Sequence, residues 1–204
     1  MSPGPLAVFA YGSLVSAASA AETLGRDPAE EWPDGAAEPA ELAGWRRRWS
    51  QARDNRRCEK TFARDGDGWI PDYVLGLNVE RTGNPRDVVN GLLITLTPDE
   101  LDRLDVRELR YDRVDVSAEI LPRATAGGYE RVFTYEAKPE QLVLEAPEGA
   151  VILAAYARAV ESAFDRLGTG QRARFLESTD PYPVDRVEAH LVRDEIPAGN
   201  PRGW

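Results

Sequence analysis

Residues 6–14 read LAVFAYGSL, and this run is the clearest indication of how the chain begins to fold. Its apolar part predicts a buried strand over residues 6–11 that stops at Gly12. Glycine lets a backbone approach a ligand closely, and the successive N–H groups of such a turn form a concavity that binds anions. The Ser13 hydroxyl adds a hydrogen-bond donor. We therefore expect a strand followed by a turn that holds a carboxylate or an oxyanion.

A second informative stretch, LDVRELRY, occupies residues 104–111 and follows a predicted helix start. Thr97 has the side chain of an N-cap residue, and Pro98 suits the first helical position. Glu100 stands three residues after the cap, where it completes a capping box. These cues predict a short helix that begins after Thr97 and ends near residue 108.

Glu108 lies at the end of this predicted helix, between Arg107 and Arg110. One interpretation is a solvated glutamate in a surface ion network. The other is a partly buried general base beside the Tyr11–Leu14 turn, which works best when burial raises its pKa toward neutrality. Arginines that face inward would oppose that rise, so the second interpretation predicts that both arginines point outward.

The rest of the pattern places several strands before the main helices, without βαβ alternation, which indicates an α+β class. Loops are predicted over residues 25–40 and, as a long loop or irregular hairpin, over residues 53–72. Further strands are predicted over residues 42–52, 74–79, 91–96, 114–120, 129–136 and 187–192. Helices are predicted from about residue 14 to Leu24 and over residues 150–167 and 171–177.

Composition excludes several classes of function. The 204 residues carry a formal net charge of −10, so the surface repels nucleic-acid phosphates and anionic membranes. With one cysteine, Cys58, and one histidine, His190, the chain has neither an internal disulfide nor a histidine–cysteine cluster for zinc. The first apolar run is too short for a signal peptide, and no stretch reaches the length of a membrane span. We expect a single cytoplasmic domain over residues 1–204.

Taken together, the two stretches resemble motifs of the gamma-glutamylcyclotransferases, most closely the ChaC-type branch that acts on glutathione. Residues 8–14, VFAYGSL, are similar to that branch's V-F-x-Y-G-S-L strand and turn, and residues 104–108, LDVRE, are similar to its L-D-x-R-E segment. Between them, residues 42–49, LAGWRRRW, and residues 74–77, VLGL, resemble two intervening strands. The order and approximate spacing match over residues 6–120.

This resemblance implies a fold, a reaction and a site. The fold is α+β, with a small mixed β-barrel over about residues 6–136, short helices, and a helical C-terminal extension over about residues 150–204. The reaction is the cyclisation of a gamma-glutamyl amide to 5-oxoproline with release of an amine or peptide, a lyase or acyl-transfer chemistry used in glutathione degradation. Glu108 is the implied catalytic acid/base, and the implied substrate-binding residues are Tyr11, Gly12, Ser13, Leu14 and Tyr111. The implied partner is a small gamma-glutamyl substrate, with no metal or cofactor.

Two other functions stay open at this point. One is a non-catalytic member of the same fold that only binds a gamma-glutamyl or acidic ligand. The other is a cyclotransferase that acts on a gamma-glutamyl amine from biosynthesis instead of on glutathione. The sequence predicts neither the leaving group nor the oligomeric state.

A local basic segment also has two interpretations. It is either a solvated strand face and loop, or the source of one or two arginines that bind substrate carboxylates as bidentate forks. Its members are Arg46, Arg47, Arg48, Arg53, Arg56, Arg57 and Lys60.

Overall fold

The first strand, β1 (Leu6–Ala10), is buried along nearly its whole length because it lies inside a sheet. In the computed structural model, which describes residues 4–201, it pairs antiparallel with β6 (Val88–Leu96) and parallel with β9 (Arg131–Ala137). A strand that is covered on both edges and both faces accepts an uninterrupted apolar run. The run LAVFA at residues 6–10 is therefore explained by the position of β1.

Three more strands complete this first sheet: β2 (Ala37–Ala43), β7 (Tyr111–Asp115) and β8 (Ile120–Leu121). The strand order is β7-β9-β1-β6-β2-β8. β1 is thus an interior strand, and its carboxyl end delivers the Tyr11–Leu14 turn between neighbours on both sides.

The other strands form two smaller sheets. Four strands pair in the order β11-β10-β5-β3, namely β3 (Trp45–Asp54), β5 (Tyr73–Arg81), β10 (Ala150–Leu153) and β11 (Arg186–Val187). A two-stranded sheet joins β4 (Lys60–Arg64) to β12 (Ala189–Asp194). The predicted α+β class is confirmed, but within residues 4–201 the strands form three sheets and no closed barrel.

Helices are short and connect or cover the sheets. A single 3-10 turn, Ser13–Val15, follows β1. The capping box predicted for α2 is present, because Glu100 N–H donates to Thr97 Oγ1 and Thr97 N–H donates to Glu100 Oε2 at 2.8 Å. No helix within the described residues is long and apolar enough to cross a membrane. The α-helices are α1 (Ala17–Leu24), α2 (Pro98–Arg107), α3 (Arg123–Ala126), α4 (Ala154–Arg166) and α5 (Gln171–Glu177).

The strand predicted over residues 42–52 is wrong in one respect, because the structure divides it into β2 and β3. Gly44, between them, has φ +85°, a conformation that favours glycine and that directs the chain from the first sheet into the second. The loop predicted over residues 25–40 also ends too late, since β2 begins at Ala37. Pro39 is tolerated in this strand because β8 pairs only with Glu41 and Leu42, which leaves the edge open at the proline.

Three other predicted elements differ from the structure. The segment 53–72 contains β4, whose partner β12 lies near the far end of the chain. The strand predicted over residues 114–120 is interrupted after β7, because Asp115 Oδ1 accepts hydrogen bonds from the N–H and hydroxyl of Ser117 and forms a turn. The helix predicted over residues 150–167 begins as strand β10, which pairs in parallel with β5.

The C-terminal extension is therefore not simply helical. It supplies β10 and β11 to the four-stranded sheet and β12 to the two-stranded one, in addition to α4 and α5. Its last three residues lie outside the described part of the chain. Because β10 pairs directly with β5, α4 begins at the carboxyl end of an interior strand of the sheet that also carries β3.

Gly91 of β6 illustrates how closely the first sheet packs. A Cβ atom at this position would lie 2.4 Å from the carbonyl oxygen of Ala10 and 2.6 Å from Phe9 Cζ. We expect Gly91→Ala to lower the free energy of unfolding by about 1–3 kcal/mol, because the backbone of β1 would have to move. Chemical denaturation measures this change. Gly127→Ala, at an exposed residue with φ −65°, is the matched control and should change stability little, and equal effects of the two substitutions would contradict the explanation.

Candidate active site

The turn after β1 is closed by two hydrogen bonds. Val15 N–H donates to Gly12 O and Ser16 N–H donates to Ser13 O, each at 3.0 Å. The first N–H groups of such a helical turn have no acceptor inside the turn, so they are available to an anion. A Cβ at Gly12 would lie 3.4 Å from Tyr156 Oη, so the missing side chain keeps the space in front of the turn open.

Glu108 is the C-cap residue of α2, and its N–H donates to Leu104 O at 2.8 Å. Its side chain is only 17% exposed. It lines two adjoining cavities, a recess of about 50 Å³ that is also lined by the Tyr11–Leu14 turn, and a larger cavity of about 430 Å³. The structure thus brings the two sequence stretches to one concave surface, and Glu108 is not a solvated surface residue.

Arg107 connects Glu108 to the turn. Its Nε lies 3.2 Å from Glu108 Oε1, and its Nη2 donates to Ser13 Oγ at 2.9 Å. Its Nη1 donates to Thr23 Oγ1 at 2.8 Å, and the side chain is only 2% exposed. The prediction that Arg107 points outward is wrong, because hydroxyl groups of the turn and of α1 pair with the guanidinium and make its burial possible.

Burial dominates the electrostatics of Glu108. It raises the pKa of the carboxyl above its ordinary value, while Arg107 and, to a smaller extent, Arg110 act in the opposite direction. The net pKa is raised, which makes Glu108 a better proton acceptor than a surface glutamate. Arg110 is also turned toward the site rather than away from it, since it lines the larger cavity and pairs with Glu59 at 2.8 Å.

Three tyrosines surround the carboxyl group. Tyr11 donates its hydroxyl to Tyr135 O at 2.7 Å, and Tyr111 donates to Leu77 O at 2.8 Å. Burial raises the pKa of Tyr11 and of Tyr111, and it raises the pKa of Tyr156 to about 12. All three therefore stay protonated near neutral pH and form an uncharged wall beside Glu108.

All six residues that the sequence indicated as site residues lie together. Tyr11, Gly12, Ser13, Leu14, Glu108 and Tyr111 line the smaller recess. Their roles stay predictions, although their proximity is a fact of the structure. The turn supplies N–H groups and a hydroxyl, and Glu108 supplies a titratable carboxyl next to them.

The basic segment divides between the two interpretations. Arg53 and Lys60 line the larger cavity. Arg46 and Arg48 form ion pairs with Asp180 on the other side of the strand, and Arg56 and Arg57 lie on the surface. Arg47 is fully buried between the rings of Phe164 and Phe175, and burial lowers its pKa to about 9, so it is neither solvated nor a cavity residue.

Sequence reasoning missed several residues of the larger cavity, among them Gln51, Glu59 and Tyr156. Tyr156 belongs to α4, whose apolar spacing indicates a core face but gives no sign that one residue of it reaches a cavity. Gln51 and Arg53 are two residues apart on β3, and this spacing puts their side chains on the same face of the strand. Within residues 4–201, no group of three or more His, Cys, Asp or Glu side chains is placed to hold a metal ion.

The influence of Arg110 on Glu108 gives a prediction that does not depend on activity. We expect Arg110→Met to raise the pKa of the Glu108 carboxyl further, because the substitution removes a nearby positive charge. NMR titration of carboxyl-labelled protein measures the change. Arg123→Met, at an exposed arginine, should leave that pKa unchanged. An unchanged or lowered pKa in Arg110→Met would contradict the assigned electrostatics.

No protein-family model matches the chain, and no curated protein matches it in sequence. Among solved structures, YkqA from Bacillus subtilis is 19% identical, with a TM-score of 0.56 over 88% of this chain and 56% of YkqA. This likeness shows that the chain shares the fold of YkqA. The chain corresponds to little more than half of YkqA's length.

Two further structures are gamma-glutamyl cyclotransferases. One is 13% identical, with a TM-score of 0.49 over 90% of this chain and 94% of that one. The other, specific to glutathione and from yeast, is 15% identical, with a TM-score of 0.45 over 88% of this chain and 90% of that one. The ChaC-type branch stays a prediction.

Proposed function

We propose that the protein is an enzyme of the gamma-glutamylcyclotransferase kind, which converts a gamma-glutamyl amide to 5-oxoproline and a free amine or peptide. One observation carries the proposal: Glu108, buried and with a raised pKa, shares a recess with the Tyr11–Leu14 turn. These are the two stretches whose sequences resemble the family. They are far apart in the chain, and the fold brings them to one concave surface.

The chemistry needs one proton acceptor and good positioning. The alpha-ammonium of the substrate gives a proton to the Glu108 carboxylate, and the freed amine attacks the gamma-carbonyl carbon to form a five-membered ring. Glu108 then gives that proton to the departing nitrogen as its bond to the carbonyl carbon breaks. The ring nitrogen loses its second excess proton to solvent, and the released amine takes one up. No water is added in this sequence, so the product is a lactam and not glutamate.

The turn and the recess account for the remaining requirements. The N–H groups at Gly12–Leu14 and the Ser13 hydroxyl bind the alpha-carboxylate or the oxygen that becomes negative during attack. The small recess holds the glutamyl part in a folded conformation, in which the amine is close to its own carbonyl, and this proximity supplies much of the rate. The larger cavity, which Glu108 also lines, receives the leaving group.

A substrate panel tests the proposal and separates the other functions. Purified protein is incubated with glutathione, gamma-glutamyl amino acids and gamma-glutamyl amines, and 5-oxoproline is measured by mass spectrometry. We expect 5-oxoproline from at least one class. A ligand-binding member would bind a panel compound without releasing product, and a gamma-glutamyl-amine enzyme would release product from the amines alone. Failure of every compound to yield 5-oxoproline would contradict the proposal.

A further inference from the structure

We propose that Arg53, with Gln51 beside it, forms a subsite for a carboxylate on the leaving group, so that the substrate is a gamma-glutamyl amino acid or peptide and not a gamma-glutamyl amine. The inference rests on the proposed function, because it assigns the chemistry of the leaving group to the larger cavity. It concerns residues of β3 that the cyclisation step does not use.

The unmet hydrogen-bonding capacity of Arg53 is the first observation. Its Nε and Nη2 are buried and have no hydrogen-bond partner within residues 4–201, and it forms no ion pair there. Nε–H and Nη2–H form one edge of the guanidinium, and that edge binds carboxylates bidentately. This chain shows the same use at Arg26, where Nε and Nη2 hold the two oxygens of Glu100 at 2.6 and 2.9 Å.

Gln51 is the second, independent observation. It is 6% exposed, lines the cavity and leaves its Nε2 without a partner among the described residues. Gln51 and Arg53 are two positions apart on β3 and so share a face. The residue paired with Gln51 on β5 is Gly76, where a Cβ would lie 3.0 Å from Gln51 Oε1. The absent side chain leaves room for a ligand group next to the amide.

The charges around the cavity favour an anion at Arg53. The cavity is lined by four cations, Arg53, Lys60, Arg107 and Arg110, and by two carboxylates, Glu59 and Glu108. Glu108 faces Arg107, Glu59 pairs with Arg110, and Lys60 lies 3.7 Å from Asp194. Arg53 is thus the cation of this wall with no carboxylate beside it in the described chain. An unpaired buried charge is costly, and a ligand carboxylate relieves that cost.

The surroundings of Arg53 are consistent with this role. Its guanidinium carbon lies 5.2 Å from the centre of the Phe62 ring, which supports one face of the group. Burial lowers the pKa of Arg53, and a bound anion would offset that effect. Arg53 lines the cavity, but its two unpartnered nitrogens are inaccessible to solvent in this structure, so the proposal requires the guanidinium to turn toward the cavity when the carboxylate binds. The neighbouring wall is apolar, with Phe62, Val74, Leu75 and Leu153, which suits an apolar side chain on the same leaving group.

The test compares two substrates that differ in one group. Gamma-glutamyl-leucine carries the carboxylate, and gamma-glutamyl-isopentylamide is the same molecule without it. We expect the wild-type protein to prefer the leucine compound in kcat/KM by on the order of 10²-fold, expressed mainly in KM. Arg53→Met should abolish this preference, Arg53→Lys should restore part of it, and Gln51→Leu should reduce it. Arg57→Met, at a side chain that is 90% exposed, is the control and should keep the preference.

The outcomes separate this inference from the proposed function. Cyclisation of both compounds with equal kcat/KM would overturn the carboxylate subsite and leave the proposed function standing. An equal loss on both compounds in Arg53→Met would also overturn it, since that pattern indicates a structural role. If neither compound is cyclised, calorimetric binding of gamma-glutamyl-leucine to Glu108→Gln decides the subsite, and the proposed function fails only if no other compound of the substrate panel yields 5-oxoproline. Binding weakened by adding Arg53→Met would support it, and unchanged or absent binding would overturn it.

Discussion

Replacing Glu108 by glutamine should slow the release of 5-oxoproline by orders of magnitude while the fold stays intact. Glutamine keeps the size and hydrogen-bonding shape of the side chain but cannot take the proton of the alpha-ammonium. General acid–base catalysis contributes about 10²–10⁴-fold, so kcat/KM should fall by about that factor. A continuous assay of 5-oxoproline with any accepted substrate measures the change. Retained activity in Glu108→Gln would remove Glu108 from the mechanism.

Glu140→Gln is the matched control for this substitution, because Glu140 is exposed and lines neither cavity of the site. It should keep full activity.

Stability gives a second check on Glu108. Since burial raises its folded-state pKa above the unfolded value, the wild-type protein loses stability as pH rises from about 4.5 through the folded pKa. Glu108→Gln carries no charge and should lack that loss.

Replacing Arg107 by methionine should have the largest effect on stability. The guanidinium lies 3.2 Å from Glu108 and donates to hydroxyls of Ser13 and Thr23, all in a nearly inaccessible position. Removing one partner of a buried ion pair leaves the other charge uncompensated, which costs about 3–5 kcal/mol. We expect Arg107→Met to lower the free energy of unfolding by about that amount, as measured by chemical denaturation.

Arg113→Met is the control for this prediction. Arg113 also forms an ion pair, with Asp105 at 2.8 Å, but its side chain is 36% exposed and that of Asp105 is 41% exposed. Exposed pairs contribute about 0–1 kcal/mol, so the control should change stability little. If Arg107→Met were no more destabilising than Arg113→Met, Arg107 would not be the link between α2 and the turn.

Local signals predicted some elements well. The start of α2 follows from Thr97, Pro98 and Glu100, because a capping box is formed by residues of one short segment. The helix over Gln171–Glu177 and the strand at residues 6–10 were likewise predicted close to their observed limits. Each of these elements is set either by contacts within its own segment or by an uninterrupted apolar run, and both can be read from the local sequence.

Other elements depend on partners that lie far away in the sequence. The run AVIL at residues 150–153 fits a buried strand as well as a helix, and pairing with β5 decides for the strand. The break at Gly44 and the pairing of β4 with β12 are likewise set by the packing of separate sheets. The spacing of apolar residues along one segment does not show which distant segment it pairs with, so it could not predict these contacts.

The candidate site shows the same division. The Tyr11–Leu14 turn and Glu108 were predicted because each belongs to a short stretch with recognisable residues. The inward position of Arg107 was not predicted, because its acceptors on Ser13 and Thr23 come from other elements. Arg53 was one of several candidates in a basic segment. The structure distinguishes it because it lines the larger cavity, as Lys60 also does, but has no carboxylate beside it among the described residues.

The most direct test of the central claim is the identity of the product formed in water enriched in the heavy oxygen isotope. Purified protein is incubated with gamma-glutamyl-leucine, and both products are analysed by mass spectrometry. Internal cyclisation predicts 5-oxoproline and leucine in equal amounts, with no heavy oxygen in the 5-oxoproline. Glutamate that carries heavy oxygen, in place of 5-oxoproline, would show hydrolysis and contradict the account.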